Sequence, residues 1–368
     1  SDGYWWIPSG KIFLSPNSSD DPVHELAYAR QHFFLPHRYC DPFNTDTFNT
    51  ESIVVYDNYN LLMQETFDVL GNRITVGERL ANGDIDTTKP GNDYRVLHAW
   101  RIMDPNRNRT QIAFDALGMV VATAVMGKPE ETKGDNFNTL ETDLTQEQID
   151  DFHDAHNPHT VVSGLLRNAS TRIIYDLHRF CYSHQEHPLD PTHWEAPYAA
   201  TLARETHIED LNGNQAKIQI SFSYSDGFGR EIQKKIQAEA GPVPKRDETT
   251  GKIILRPNNQ PEMTENDVSP RWVGSGWTIF NNKGKPVRQY EPFFTDNHHF
   301  EFDVQIGVSP TIFYDPVERV VTTLHPNHTW EKVDFNAWRQ ETWDVNDTVI
   351  TDPPTDSDIK GFFLNPDN

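Results

Sequence analysis

The sequence predicts a mainly β protein, a curved antiparallel sheet of linked hairpins with a few short helices in insertions. Three observations carry this reading. A five-residue signature recurs, in which an aromatic is followed by Asp and then, three residues on, by Gly. Each copy lies between runs that alternate apolar and polar residues with a period of two. Two neighbouring copies keep one spacing: Phe67 follows Tyr56 by eleven residues, and Phe114 follows Met103 by the same eleven.

The signature has a physical reason. A strand-end aromatic packs on the face of its neighbour, Asp accepts hydrogen bonds from backbone amides two residues on, and Gly takes a positive φ without a Cβ clash. Phe67-Asp68…Gly71, Phe114-Asp115…Gly118 and Phe280…Gly284 keep an aromatic-to-glycine separation of four. Tyr56-Asp57, Tyr175-Asp176 and Tyr314-Asp315 follow the same pattern without the glycine, and Tyr224…Asp226…Gly229 carries one extra residue. Arg230 and Arg319 open the strands that follow their turns. One such match means little, but about seven in one chain describe a repeat architecture. In this setting the Asp residues read as turn formers, not as catalytic acids.

In chain order, Tyr4–Ile7 reads as a short aromatic strand, and Asp21–Phe34 as a helix with Pro22 in its first turn and Pro36 past its end. Residues 1–52 form this N-terminal part, and 53–126 a β-meander interrupted by a polar loop from Ala81 to Asp93. Residues 127–168 are an acidic insertion, in which Thr145 and Gln148 form a capping box that opens a helix. Residues 169–368 continue the hairpins. Two connectors interrupt them, His184–Tyr198 and the Pro-rich Gly241–Pro270. Trp272–Phe280 reads as one strand, with Asn281–Gly284 as its turn.

Composition bounds the function. Thirty-two basic against 55 acidic residues give a net charge of -23. Such a surface repels nucleic acid and anionic membrane and suits a cationic partner. No run approaches the ~20 apolar residues of a membrane span. The first residues have no basic segment leading into an apolar core, so they do not read as a signal peptide; the missing initiator Met is what a piece of a longer chain would show. Two cysteines, Cys40 and Cys181, are too few for a disulfide framework or a four-thiolate zinc site.

Catalytic readings find little support. His153, His156 and His159 recur every three residues, but Pro158 breaks the helix that would align them, and no HExxH glutamate lies among them. His298-His299 and His325…His328 fall in loops or at strand ends. Acidic pairs for glycoside hydrolysis are trivial to find among 55 carboxylates. Gly274-Ser275-Gly276 lacks the spacing of a nucleophile elbow. The expectation is no enzyme, no metal and no cofactor. The runner-up is a secreted or cell-surface carbohydrate-binding β protein that would use Trp5, Trp6 or Trp277.

Longer runs sharpen the reading. YSDGFGREIQKKIQAEAGP from Tyr224, RWVGSGWTIFNNKGKPVRQYEPFF from Arg271, YDPVERVVTTLHPNHTWEKVDF from Tyr314 and WRQETWDVNDT from Trp338 resemble the middle region of the B component of insecticidal toxin complexes (Tc toxins). FDALGMVVATAVMGK and STRIIYDLHRF do so too, and the turns resemble the YD repeats of the Rhs family. This resemblance implies a YD-repeat β-hairpin shell segment of a secreted toxin. In that family the B and C components enclose the toxic C-terminal region of C, and a propeller on B docks the shell onto the channel of the A component. This sequence shows no propeller blades and no Asp-rich self-cleavage motif. The implied partners are therefore the C component with its enclosed region and, through a propeller not present in this chain, the A component, with no nucleic acid and no direct membrane insertion. If acidic side chains face the enclosed volume, a basic cargo would be held by many weak attractions that salt screens.

Overall fold

The computed structural model describes residues 9–45, 47–258, 260–356 and 360. The expected aromatic strand Tyr4–Ile7, with Trp5 and Trp6, lies outside them. Two compact units divide the chain. The first is Ser1–Phe152, Pro158–Ile174 and Leu202–Gln219; the second is His153–Asn157, Tyr175–Thr201 and Ile220–Asn368. This cuts the chain differently from the four sequence segments. Residues 202–219 are tied to the insertion through Asp135, whose Oδ1 accepts from Ile208 N at 2.7 Å and whose Oδ2 lies 2.8 Å from His207 Nδ1.

The first unit opens with β1 (Lys11–Phe13), α1 (Pro22–Gln31), β2 (Arg38–Cys40), β3 (Ser52–Tyr56), β4 (Met63–Phe67) and β5 (Arg73–Arg79). Then come β6 (Ile85–Pro90), β7 (Asn92–Asp93), β8 (His98–Ala99), β9 (Arg101–Met103), β10 (Arg109–Phe114) and β11 (Val120–Met126). Strands pair antiparallel in the order β1-β2-β3-β4-β5-β9-β10-β11. The stretch expected as a polar loop after Leu80 instead carries β6, which pairs with β5, and β7, which pairs with β8. In α1, Asp21 Oδ1 accepts from Val23 N and His24 N, both at 2.9 Å. This helix stops three residues before the expected Phe34, because Phe33 and Phe34 take left-handed backbone (φ 57° and 56°).

In the insertion, α2 (Gln146–Asp154) and α3 (Val162–Leu166) precede β12 (Thr171–Asp176), whose Arg172 lies opposite Ala122 of β11. The capping box is made: Thr145 N–H donates to Gln148 Oε1 at 2.8 Å, and Gln148 N–H to Thr145 Oγ1 at 3.3 Å.

The second unit contains α4 (Arg179–Glu186) and takes part of β13 (Tyr198–Arg204) and β14 (Ile218–Ser225). It continues with β15 (Glu231–Ala238), β16 (Arg271–Gly274), β17 (Thr278–Phe280), β18 (Pro286–Gln289) and β19 (Phe293–Thr295). Last come β20 (Thr311–Tyr314), β21 (Val320–Leu324), β22 (Trp330–Phe335) and β23 (Gln340–Trp343). Strands β14, β15, β16 and β19 pair in that order, β17 and β18 form a separate hairpin, and β20–β23 form a four-stranded meander.

Two expectations are corrected here. Trp272–Phe280 is two strands in different sheets, and at the break Gly276 packs against the Tyr290–Glu291 backbone too closely for a Cβ. Gly241–Pro270 is an irregular double strand with bridges Gly241↔Val268, Pro244↔Met263, Arg246↔Ile253 and Leu255↔Pro261. Its prolines cannot donate to a ladder, so the bridges stay isolated.

Candidate functional site

Five of the repeat turns share one backbone geometry; the Tyr56-Asp57 turn is one residue longer, the Asp57 N–H donating to Leu62 O at 2.9 Å. With Asp or Asn as residue i, the i N–H donates to the i+4 carbonyl and the i+3 N–H donates back to the i carbonyl. At Asp68 these bonds measure 3.3 and 3.0 Å, at Asp115 3.0 and 3.1 Å, at Asp226 3.0 and 3.1 Å, at Asn281 2.9 and 2.9 Å, and at Asp315 2.9 and 3.0 Å. Residue i+3 is left-handed: Gly71, Gly118, Gly229 and Gly284 lie at φ 81°, 85°, 76° and 78°, and Glu318 at 71°. The register slips by one residue beside Tyr56, Phe114, Tyr224, Phe280 and Tyr314. An i+3 to i hydrogen bond, a left-handed residue and a one-residue slip together make a bulged hairpin turn, which sharpens the local twist of the hairpin.

The side chain at i fills the turn. Asp226 Oδ1 accepts from Phe228 N and Arg230 N at 2.8 and 3.0 Å, and Asp315 Oδ1 from Val317 N and Arg319 N at 3.0 and 2.9 Å. Burial pushes the carboxyls of Asp57, Asp226 and Asp315 up, but their hydrogen-bond donors outweigh it and hold all three below the usual range. For Asp68 the Asn72 side chain leads the lowering.

Tyr175-Asp176 is not a turn of this kind. Asp176 Oδ1 accepts from His178 N at 3.3 Å, the chain runs into α4, and Arg179 Nε lies 2.9 Å from Asp176 Oδ2. The helix-forming Arg179–Glu186 stretch takes the place of a returning strand. Three further turns keep the backbone rule without an aromatic–Asp pair: Leu80…Gly83, Asp104…Arg107 and His325…His328. Each has a left-handed residue at i+3 (φ 92°, 70° and 68°). Asn336 closes one residue sooner, its N–H donating to Arg339 O at 2.9 Å. The signal that finds these turns is the spacing of strand ends, not the aromatic.

Adjacent turns are joined. In the second unit the Arg230 guanidinium bonds Asp226 Oδ2 (Nε, 2.6 Å) and lies 4.7 Å over the Phe280 ring of the next hairpin. A Cβ at Gly284 would meet Arg230 Nη1 at 2.5 Å. Lys283 Nζ donates to Pro316 O at 2.6 Å, Lys285 pairs with Glu318 at 3.2 Å, and Arg319 lies 4.2 Å over Phe335. In the first unit Tyr94 hydroxyl donates to Asp57 Oδ2 at 2.7 Å, and Arg95 Nη1 to Asp115 O at 2.5 Å. The i+2 residues point outward: Leu70, Leu117, Phe228, Val317 and Trp338 are exposed large apolar side chains.

Behind Tyr224 lies a buried cluster. Tyr224 hydroxyl donates to His298 O at 2.7 Å, and its ring packs with Tyr198, Phe222 and Phe300. Trp272, fully buried, packs against Phe222 and His298. Fully buried Lys235 pairs with Glu301, which Arg246 also holds. Burial lowers the Lys235 ammonium to about 8 against the pull of Glu301. His153 sits at the end of α2 and meets His298 and His299; the helix stops at Asp154, so His156 and His159 do not share a helical face with it. Among the described residues, no group of three or more His, Cys, Asp or Glu side chains is arranged to hold a metal ion. Trp277 is half-buried and makes a T-shaped contact with Phe302 at 4.7 Å. Cys40 is buried, Cys181 is exposed, and both are free. A hollow of about 640 Å³, bounded by Val243, Lys245, Arg246, Ile254, Thr264 and Asp296, carries both signs of charge.

No protein-family profile and no curated protein matches this chain. Solved structures do. The crystal structure of TcdB2-TccC3 aligns with a TM-score of 0.55 and 20% identity over 87% of this chain and 13% of that one. The same complex without its hypervariable C-terminal region aligns at 0.55 and 18%, over 89% and 16%. The Photorhabdus luminescens Tc holotoxin pore aligns at 0.53 and 17%, over 93% and 17%. At these identities the likeness is one of fold: the chain has the β fold of a part of these Tc toxin structures. It spans about one-eighth of the TcdB2-TccC3 chain.

Proposed function

We propose that this chain is a sector of the wall of a toxin-enclosing shell, of the kind the B component contributes to a Tc complex. The observation that supports this most is the joining of successive hairpin turns, Asp226 to Asn281 to Asp315, by Arg230, Lys283 and Lys285. A catalytic fold holds a pocket open on a rigid frame; here the charged side chains of the turns are used to hold one hairpin to the next. The role is mechanical: paired strands form a barrier with few free backbone groups, and the walled polypeptide is kept from acting. In this reading the complex works outside the cell that makes it, the partner is a C component with its enclosed toxic region, and a further component supplies the channel.

The test is association. The full chain, co-expressed with a Tc C component, is expected to co-elute with it as a stable complex in size-exclusion chromatography with light scattering. A folded chain and a folded C component that elute separately would overturn the proposal.

A further inference from the structure

The second unit contains a cluster that the wall reading leaves unused. Residues 153–157 lie against the loop Asn297–Glu301, and three imidazoles meet there. Ring centroids are 4.5 Å apart for His153 and His299, 5.8 Å for His153 and His298, and 4.4 Å for His298 and His299. His298 is 1% exposed and His153 2%.

Their hydrogen bonds determine one neutral tautomer each. His298 Nε2 faces the His153 carbonyl at 2.7 Å and must donate. His153 Nδ1 faces the Asp154 carboxylate at 3.1 Å and must donate. His153 Nε2 is then a lone pair, and His299 Nδ1 donates to it at 3.3 Å. A proton added at His153 Nε2 either sets two N–H groups face to face or forces His299 into its other tautomer. A proton at His298 Nδ1 or His299 Nε2 keeps the bonds but adds a cation.

The surroundings do not welcome one. Facing the cluster are Arg179 of α4, Lys235 of β15, His156, Asp154, Glu301, Tyr198 and Tyr224. Of the two anions, Glu301 is already shared by Lys235 and Arg246, and Asp154 is largely exposed.

We propose that the His153–His298–His299 cluster is an acid-sensitive latch, whose protonation releases segment 153–157 from loop 297–301 while the β14–β15 hairpin stays formed. The sign follows from burial, which lowers His298 to about 4 and His153 to about 2 and also lowers His299. Released imidazoles titrate near 6.5, so below that pH the released state binds more protons. Docking is therefore complete above ~6.5 and weakens as pH falls toward about 4. The -23 charge shrinks over the same range, which relieves repulsion, so loosening there is assigned to the imidazoles and not to overall charge.

Hydrogen exchange by mass spectrometry on the full chain at pH 7.5 and 5.0, corrected for intrinsic rates, tests this. Protection of 153–157 and 297–301 is expected to fall at least about tenfold at pH 5.0, given the displacement of His298 from ~6.5. Amides of Ser221–Tyr224 should keep theirs. In His299→Phe the drop should shrink. Unchanged protection at pH 5.0, equal loss across the β14–β15 hairpin, or an undiminished drop in a folded His299→Phe variant would each overturn the latch. If that variant does not fold, the two measurements on the unmodified chain decide.

Discussion

The two units build the same hairpins around different interiors. In the first, an ionic network is buried beside an aliphatic core that includes Met103, Val121, Leu166 and Ile174. Glu65 accepts from Arg73 Nη2 at 2.5 Å and Thr75 Oγ1 at 2.6 Å; Arg79 donates to Thr75 Oγ1 and Asp104 O, both at 2.5 Å. Glu78 holds Arg101 at 2.8 Å and Arg109 at 3.4 Å, and Asp135 accepts from Ser170, His207 and Ile208. In the second unit the corresponding space is filled by rings: Tyr198, Phe222, Tyr224, Trp272, Phe293 and His298. The turn geometry is thus independent of what fills the sheet behind it. A hairpin with this five-residue turn needs a residue that accepts positive φ at i+3, and Asp or Asn at i fills it where present, although Leu80 and His325 hold the same position. The interior is free to be chosen for strength or for response.

The largest effect should come from the ring-filled interior. Trp272→Ala removes a fully buried indole and should cost about 3–5 kcal/mol in chemical unfolding. Glu65→Ala in the ionic interior should cost about 3 kcal/mol, because Arg73 and Thr75 lose their shared acceptor. The comparison is sharpened by a rescue: Glu65→Leu with Arg73→Met and Thr75→Val, which removes the stranded donors as well, should recover most of that loss, whereas no polar pair should recover Trp272→Ala. Smaller still are the turns. Gly284→Ala should cost about 1–2 kcal/mol, and Gly71→Ala about 1 kcal/mol. Both glycines are left-handed, but only at Gly284 does the new Cβ press on Arg230. In an Arg230→Ala background the difference between the two should vanish, which a four-variant unfolding series would read. Acid separates the regions again. The depressed carboxyls of Asp57, Asp226 and Asp315 contribute stability that is present above the ordinary carboxylate value of ~4 and lost only as pH falls below it. The imidazole latch is lost at higher pH.

Much of the fold was legible because the turn is local chemistry. Asp68, Asp115, Asp226 and Asp315 bond amides within four residues of themselves, so sequence spacing alone exposes them. Tyr175-Asp176 carries the same letters and becomes the approach to a helix, since the residues after an Asp decide whether the chain returns as a strand. The break at Ser275-Gly276 was hidden because the backbone that Gly276 packs against, Tyr290–Glu291, is distant in sequence. The same holds for the joints and the latch. Arg230 meets Phe280 across fifty residues, and His153 meets His298 across 145. Helical spacing drew His153 toward His156 and His159, while the partners it contacts lie in a loop without periodicity.

The central claim is that the turns are rigid corners of one hairpin chain and not pliant loops. Residue-resolved amide exchange at Gly71, Gly118, Gly229, Gly284 and Glu318 tests it most directly, since each N–H donates across its turn to the carbonyl of Asp or Asn. These amides, although at the surface, are expected to exchange about as slowly as the strand amides beside them. Exchange at the rate of an unstructured chain in these five positions, with the strands still protected, would contradict it.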